Sequence, residues 1–294
     1  MNNLDLRPLS VGEVLDRTFA LYRNYFVLFI GISAIPQILL LIVNLCQVFF
    51  LASSGLPVPG SARPTTVPPS IGSPGAIGAV VGLGFLVVVV TLVAILLSQG
   101  ATVIAVSEIY LGRTITIGES FRRVLGEIGT LLAVMILNGL AILAGFLLLV
   151  VPGIYVMCRL IVSVPAALLE QLGAREAIER SWALARDNAG RAFLIIALYF
   201  ALSFAAAGLL TFPFQMLILL QKNSPSMVLV YMGLAQVGAF IANVLVTPVM
   251  TIASSILYYD LRVRKEAFDL QLMLTPLGGP LDRPVTGGVP KTFS

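Results

Sequence analysis

Arg159 is the one charged residue that the sequence places inside a long apolar run. A guanidinium at membrane depth is costly unless it meets an anion, a carbonyl group or the interface, so it is the first candidate for chemistry. The side chains that would share a polar cavity with it are the carboxamides Asn138, Gln99, Gln215, Gln236 and Asn243, each in another apolar run. A cation among carboxamides suits a lipid phosphate or another anion. A structural role competes. Arg159 lies about six residues past Pro152-Gly153, roughly 9 Å from the outer end of its run at 1.5 Å per residue, within snorkelling reach of the outer headgroups. Carbonyls freed by Pro213 or Pro248 are the other structural partners. The four mid-run prolines, Pro36, Pro165, Pro213 and Pro248, fit ordinary kinks or broken helices that line a site.

Catalytic chemistry has little to draw on. The chain contains no histidine, the commonest general base and metal ligand. Its 14 acidic residues all fall between the apolar runs or at their ends, so no carboxylate is placed at depth for proton coupling. No phosphate-binding loop, nucleophile elbow or dinucleotide fingerprint is present. The expectation is a protein that is not an enzyme and holds no cofactor and no metal. Cys46 and Cys158 read as small buried side chains. Both are placed toward the outer side, where a disulfide between them is open to test.

The remaining charges follow a pattern. SVGEVLDRTFALYR, TIGESFRRVLGEIG and GAREAIERSWALAR each read E-x-apolar-x-R-x-apolar. Glu13–Arg17, Glu119–Arg123 and Glu176–Arg180 stand four apart with the acid first, the favourable order for a helical ion pair worth about 0.2–0.5 kcal/mol. Ser10 and Glu13 also have the spacing of a helix N-terminus. Apolar positions recur at helical spacing, so each stretch predicts an amphipathic helix on a membrane surface, with Trp182 at headgroup level.

Each amphipathic stretch runs into long apolar segments. Apolar residues form 58% of the chain and charged residues 11%, against the ~25% charged of a soluble domain. The runs cover about residues 26–52, 76–107, 128–151, 154–169, 192–220 and 227–258. Most reach the ~20 residues needed to cross ~30 Å of hydrocarbon. The reading is an all-α polytopic membrane protein of six transmembrane helices, built as three repeats of an amphipathic helix plus a transmembrane hairpin. The units are about 8–107, 114–169 and 171–259. Val151-Pro152-Gly153 reads as the turn of the second hairpin. Gly78 and Gly82 have the spacing of close helix packing. Residues 53–75, rich in Pro, Ser and Gly, predict a flexible loop. Residues 1–274 form the six-span domain, with a cytoplasmic amphipathic tail at 260–274 and a disordered tail at 275–294.

Fifteen of the 18 basic residues fall on one side of this arrangement, and Arg63 and Lys222 on the other. The positive-inside rule then puts both termini and all three amphipathic stretches in the cytoplasm. The net charge of +4 is no nucleic-acid signal, because the basic residues flank spans.

LSVGEVLDRTFALYRNYF, VPGIYVMCRLIVSVPAALLE, GAREAIERSWALARDN and LYYDLRVRKEAFDLQLM resemble the glycerophosphoryl diester phosphodiesterase membrane-domain family of bacteria, over about residues 5–274. In the members that give the family its name, such a region is fused to a soluble phosphodiesterase domain that works with histidine and carboxylates. Here no histidine exists and no segment would house that domain, so the resemblance implies a membrane architecture and no catalytic residue. The expected role is a non-enzymatic membrane domain binding lipid or partner proteins in the cell envelope. The alternative is a transporter or flippase-like carrier for an amphiphilic or phosphate-bearing molecule. The oligomeric state is left open.

Overall fold

A computed structural model describes residues 9–53, 74–221 and 224–266. Most of the predicted loop at 53–75, Arg63, Lys222 and the tail beyond Glu266 lie outside the described residues. Within them the chain forms helices and no strand: α1 (Val11–Asn24), α2 (Phe26–Ser53), α3 (Pro74–Tyr110), α4 (Ile117–Gly126), α5 (Ile128–Leu148), α6 (Val150–Arg159), α7 (Ser163–Leu169), α8 (Ala174–Leu184), α9 (Ala189–Leu210), α10 (Phe212–Leu220) and α11 (Pro225–Glu266). Six helical segments are long and apolar enough to cross a membrane.

The short helices begin where their sequences say they should. Ser10 and Glu13 form a reciprocal capping box at the start of α1, and Thr116 and Glu119 do so for α4. At α8 the cap position is Gly173, which has no side chain, so only half the device remains: Gly173 N–H donates to the Glu176 carboxylate at 3.3 Å. A carboxylate at the third position also faces the positive end of the helix dipole. Each helix buries one stripe: Val14, Thr18 and Leu21 in α1, Ser120 and Val124 in α4, Ala177, Ser181 and Leu184 in α8.

Those stripes do not rest on a flat surface. They wedge between the long helices at one end of the bundle, here termed the charged end. Leu9 N–H donates to Asp260 at 2.6 Å, and Tyr22 further along α1 donates to the Leu245 carbonyl at 3.0 Å. Asp260 and Leu245 are fifteen residues apart, about 22 Å of helix, so α1 descends along α11. Ile117 of α4 packs on Gly31 so closely that a Cβ there would collide with it, and Val124 and Leu131 close on Gly100. Ala177 of α8 meets Val134 and Ala167.

This end holds most of the core. The buried residues of α3 run from Ala94 to Glu108 and those of α11 lie mainly between Ala242 and Leu261, with Tyr258 the largest. α11 is the most buried of the six apolar segments and touches α1, α2, α3, α7, α8, α9 and α10. Toward the far end the same helices expose Phe85, Leu147, Phe204 and Leu209, as apolar surface facing lipid would.

Four boundaries differ from the sequence reading. The α5–α6 turn falls at Leu149, whose backbone is extended, and Pro152-Gly153 lies in the first turn of α6. Proline is tolerated there because its missing N–H would be unpaired anyway. Gly153 instead allows contact: a Cβ on Gly145 would come within 3.0 Å of its Cα. The fourth segment breaks between Arg159 and Ser163, and the fifth breaks at Thr211. Pro165 and Pro213 sit in the first turns that follow, so only Pro36 and Pro248 lie within unbroken helices. The tail from residue 260 is no separate helix as far as Glu266, because α11 carries straight through. Cys46 is exposed, Cys158 is buried in the core, and both are free thiols, so no bridge joins them.

The α5–α6 hairpin is shallow. Asn138 shares a recess with Tyr199 and Ser254, eight and six residues from the Arg191–Asp260 ion pair, or about 9–12 Å along the helices. Leu149 lies eleven residues beyond Asn138, which puts the tip about 28 Å from that pair, against about 43 Å for the end of α10. The tip carries no polar side chain, and Leu147 is 86% exposed.

Two outcomes follow. With Cys46 and Cys158 replaced by alanine, Leu149→Cys in intact membrane vesicles stays unlabelled by a membrane-impermeant maleimide until detergent is added, whereas Gln221→Cys is labelled from one face. Equal labelling would put the tip in water. Asp260→Asn leaves two arginines facing a lost charge, and lowers stability by on the order of 3 kcal/mol, read by chemical unfolding in detergent. An unchanged midpoint would remove Asp260 from its structural role.

Candidate functional site

Arg159 ends α6 at a point where the chain must turn. It is 4% exposed, so it does not snorkel. Its guanidinium lies over the Trp182 ring of α8 at 4.5 Å and near the Tyr155 ring at 5.5 Å, and those two rings meet edge to face. One amino group donates to the Tyr155 hydroxyl at 2.9 Å and, at 3.4 Å, to the Arg186 carbonyl that follows α8. The Arg159 carbonyl, left free where α6 stops, accepts from Ser181 of α8 at 2.8 Å. The outer-headgroup placement is therefore corrected. Arg159 is turned toward an amphipathic helix at the charged end, and Pro213 and Pro248 supply none of its hydrogen-bond partners. Its Nε is buried without a partner, and among the described residues no carboxylate comes within ion-pair distance. Aromatic faces offset part of that uncompensated charge.

The carboxamides do not gather around it. They divide between two half-open recesses, and Arg159 lines neither. Gln99 and Asn138 belong to a recess of about 200 Å³ between α3, α5, α7, α9 and α11, beside the break in the fourth segment. There the Asn138 amide donates to Ser163 at 2.6 Å, while its carbonyl oxygen is buried without a partner. Gln215, Gln236 and Asn243 line a recess of about 330 Å³ between α9–α10 and α11. The single site anticipated from sequence is thus three separate places.

The repeated acid and arginine also part company. Glu119 and Glu176 are drawn back to their helix starts and make no ion pair with Arg123 and Arg180; Glu13 serves the same capping role. At Glu119, hydrogen bonds from the Thr116 backbone and hydroxyl, helped by Arg122 and Arg123, hold the carboxyl below its ordinary pKa. The arginines reach across to neighbouring helices instead. Arg123 pairs with Glu108 at the end of α3 at 2.6 Å, and Arg17 hydrogen-bonds Tyr110 there. Arg180 grips both oxygens of Glu170, at 3.0 and 2.9 Å, and also pairs with Glu266. Burial works against the Arg180 charge, yet Glu170 and Glu266 together keep its pKa above the ordinary value.

Sequence reasoning passed over the acids at these span ends. Glu170 accepts from Tyr258 at 2.7 Å, and Arg262 joins the same cluster through Glu266 at 3.1 Å. Asp260 is fully buried and accepts from Leu9 N–H, Arg191 and Arg264, while both arginines also donate to the Leu9 carbonyl. The available signal was position: Glu108, Glu170 and Asp260 each close an apolar run.

Residues 131–273 match the family model described as the membrane domain of glycerophosphoryl diester phosphodiesterase. The match runs from α5 past the end of α11 and includes Arg159, Glu170, Asp260 and the recess between α9–α10 and α11, whereas the α3 wall of the other recess, with Gln99, lies outside it. The similarity of LSVGEVLDRTFALYRNYF lies outside it. No curated protein and no solved structure matches the chain. The matched domain and the six apolar helices mark a multi-pass membrane protein.

A double-mutant cycle tests the Arg159–Trp182 contact. Arg159→Ala and Trp182→Ala each lower stability, and the double variant loses less than their sum by about 0.5–2 kcal/mol, the value of a partly desolvated cation–π pair. Strict additivity in chemical unfolding would mean that the two side chains merely lie near each other.

Proposed function

We propose that this chain is a non-enzymatic integral membrane domain that binds lipid or a partner protein in a bacterial cell envelope. In this reading it sits in the inner membrane with the charged end, and so both termini, in the cytoplasm. It is built of three units, each an amphipathic helix followed by a membrane hairpin. The three-unit reading draws support from α1, α4 and α8, which carry the capping glutamate at the same position, bury the same face and send the arginine four residues later to a span end.

One observation carries the functional reading. Packing is concentrated at the charged end, and the far part of the bundle presents exposed apolar helices and the half-open recess between α9–α10 and α11. A bundle built to hold its own shape at one end only has lateral surface left for lipid or for another protein. The alternative is a carrier for an amphiphilic or phosphate-bearing molecule. It calls for a passage that reaches the buried cation, and Arg159 lies outside both recesses.

Native mass spectrometry after gentle extraction from the host membrane tests this. Discrete lipid or a stoichiometric partner chain remaining on the protein is the expected result. A bare monomer under conditions that retain annular lipid on other membrane proteins would overturn it. A retained amphiphile that leaves on Arg159→Ala, while the variant still inserts and folds, would favour the carrier.

A further inference from the structure

We infer that the recess between α9–α10 and α11 holds one lipid of the far leaflet whose headgroup is uncharged and hydrogen-bonding. This rests on the lipid-binding part of the proposed function and names the place and the chemistry.

Depth is the first ground. Gln215 lies 24 residues from Arg191 along α9–α10, and Gln236 lies 24 residues from Asp260 along α11. Arg191 and Asp260 are paired at 2.6 Å, so the two glutamines stand level, about 36 Å from that pair on antiparallel helices. That is the far edge of a hydrocarbon layer ~30 Å thick, where headgroups lie. Asn243, seven residues nearer the charged end, is about 10 Å deeper.

The chemistry of the lining is the second. Gln215, Gln236 and Asn243 make no side-chain hydrogen bond within the described residues, and Gln215 and Asn243 are exposed. A carboxamide at the edge of hydrocarbon needs both a donor and an acceptor from whatever covers it. No acidic or basic side chain lines the recess, so a phosphate finds no counter-charge, while a hydroxyl-bearing neutral headgroup satisfies both halves of each amide.

Extent is the third, and it decides between a lipid and a helix. The lining runs from Ser203 to Gln215 on one wall and from Ala235 to Val246 on the other, about 18 Å each. That matches one leaflet. A transmembrane helix of a partner or a second copy would use a seam along the full bilayer. Nearer the charged end α9 and α11 are joined by the Arg191–Asp260 pair, both touch α1, and α9 also touches α6. The walls are small, with Ala207, Ala239 and Ala242 leaving room for an acyl chain, and Gly238 fixes their approach: a Cβ there would collide with the Leu210 carbonyl.

The test uses the full chain in nanodiscs of phosphatidylglycerol containing monoglucosyl diacylglycerol with the same acyl chains. Lipid retained on the ejected protein is read by native mass spectrometry. The wild type retains the glycolipid about tenfold over its share of the disc, and Gln215→Leu with Gln236→Leu removes that enrichment, as loss of two membrane hydrogen bonds would. Asn138→Leu, in the other recess, leaves it intact. Ala207→Trp, which fills the recess while keeping both amides, abolishes it too. Preferential retention of phosphatidylglycerol would overturn the uncharged headgroup. Glycolipid enrichment that survives both recess variants would overturn the place, while lipid binding itself would stand. A dimer mass lost in the double variant would make the occupant a second copy and overturn the lipid. No lipid on any form would defeat this inference and leave only the protein-partner side of the proposed function.

Discussion

A single buried carboxylate holds the charged end together. Asp260 lies within the longest helix, fully out of solvent, and takes hydrogen bonds from the start of the described chain, from the first turn of α9 and from one turn further along its own helix. Leu9, Arg191 and Arg264 share this one acceptor, and the first two come from distant parts of the sequence. The two arginines also donate to the Leu9 carbonyl, so the segment entering α1 is held by both its N–H and its C=O. Burying a charge this way costs several kcal/mol before pairing, and the pairs and the backbone donor offset it only in one geometry. That requirement sets where α1 begins, and with it the descent of α1 along α11. Glu170 and Glu108 repeat the principle for α8 and α4. In each case an acid ending an apolar run fixes an amphipathic helix against the long ones.

Helices in a membrane gain little from burying apolar surface against one another, since lipid is as apolar as leucine. Here the close packing is found where the amphipathic helices insert, in the layer with polar and small residues. Gly31 and Gly100 admit Ile117 and Val124, Ser181 caps the broken end of α6, and Ser120 and Thr18 return their hydroxyls to their own helices. The far half has fewer of these devices, among them the Thr91 and Thr211 hydroxyls returned to their own helices. It is held by α2, α9 and α10 leaning on α11, with Gly238 against Leu210 as its tight crossing. Its apolar side chains are the exposed ones, and the recess between α9–α10 and α11 lies among them.

The class of fold was legible because composition and run length act through the bilayer, whose thickness is a fixed ruler. The amphipathic helices were legible through their period and caps. What was misread shares one cause. A helical pattern records neighbours three and four residues away, and the partners that decide these side chains are elsewhere in the chain. Glu119 and Arg123 suit each other on a helix surface, but the glutamate gains more from the unpaired N–H groups at its helix start, and the arginine then finds Glu108. Arg159 was placed by counting from a turn. The break after it, and the stacking on Trp182, turn it the other way. The carboxamides were grouped because they were all polar in apolar runs, yet they lie at two depths in two recesses.

That separation makes the two ends chemically different. The buried cation Arg159 is closed over by α8, which covers it with Trp182 and bonds its backbone carbonyl through Ser181, and by the Arg186 carbonyl just after α8. An anion reaches that guanidinium only if α8 lifts, and lifting α8 would break the Arg180 pairs with Glu170 and Glu266 as well. The far recess needs no such opening and offers no charge. A ligand that enters from the bilayer therefore meets carboxamides first, and an anionic group gains nothing there over the free bilayer. A charged ligand at Arg159 would have to displace α8 from the cluster around Glu170, whereas the neutral lipid proposed for the far recess would meet Gln215 and Gln236 without any such opening.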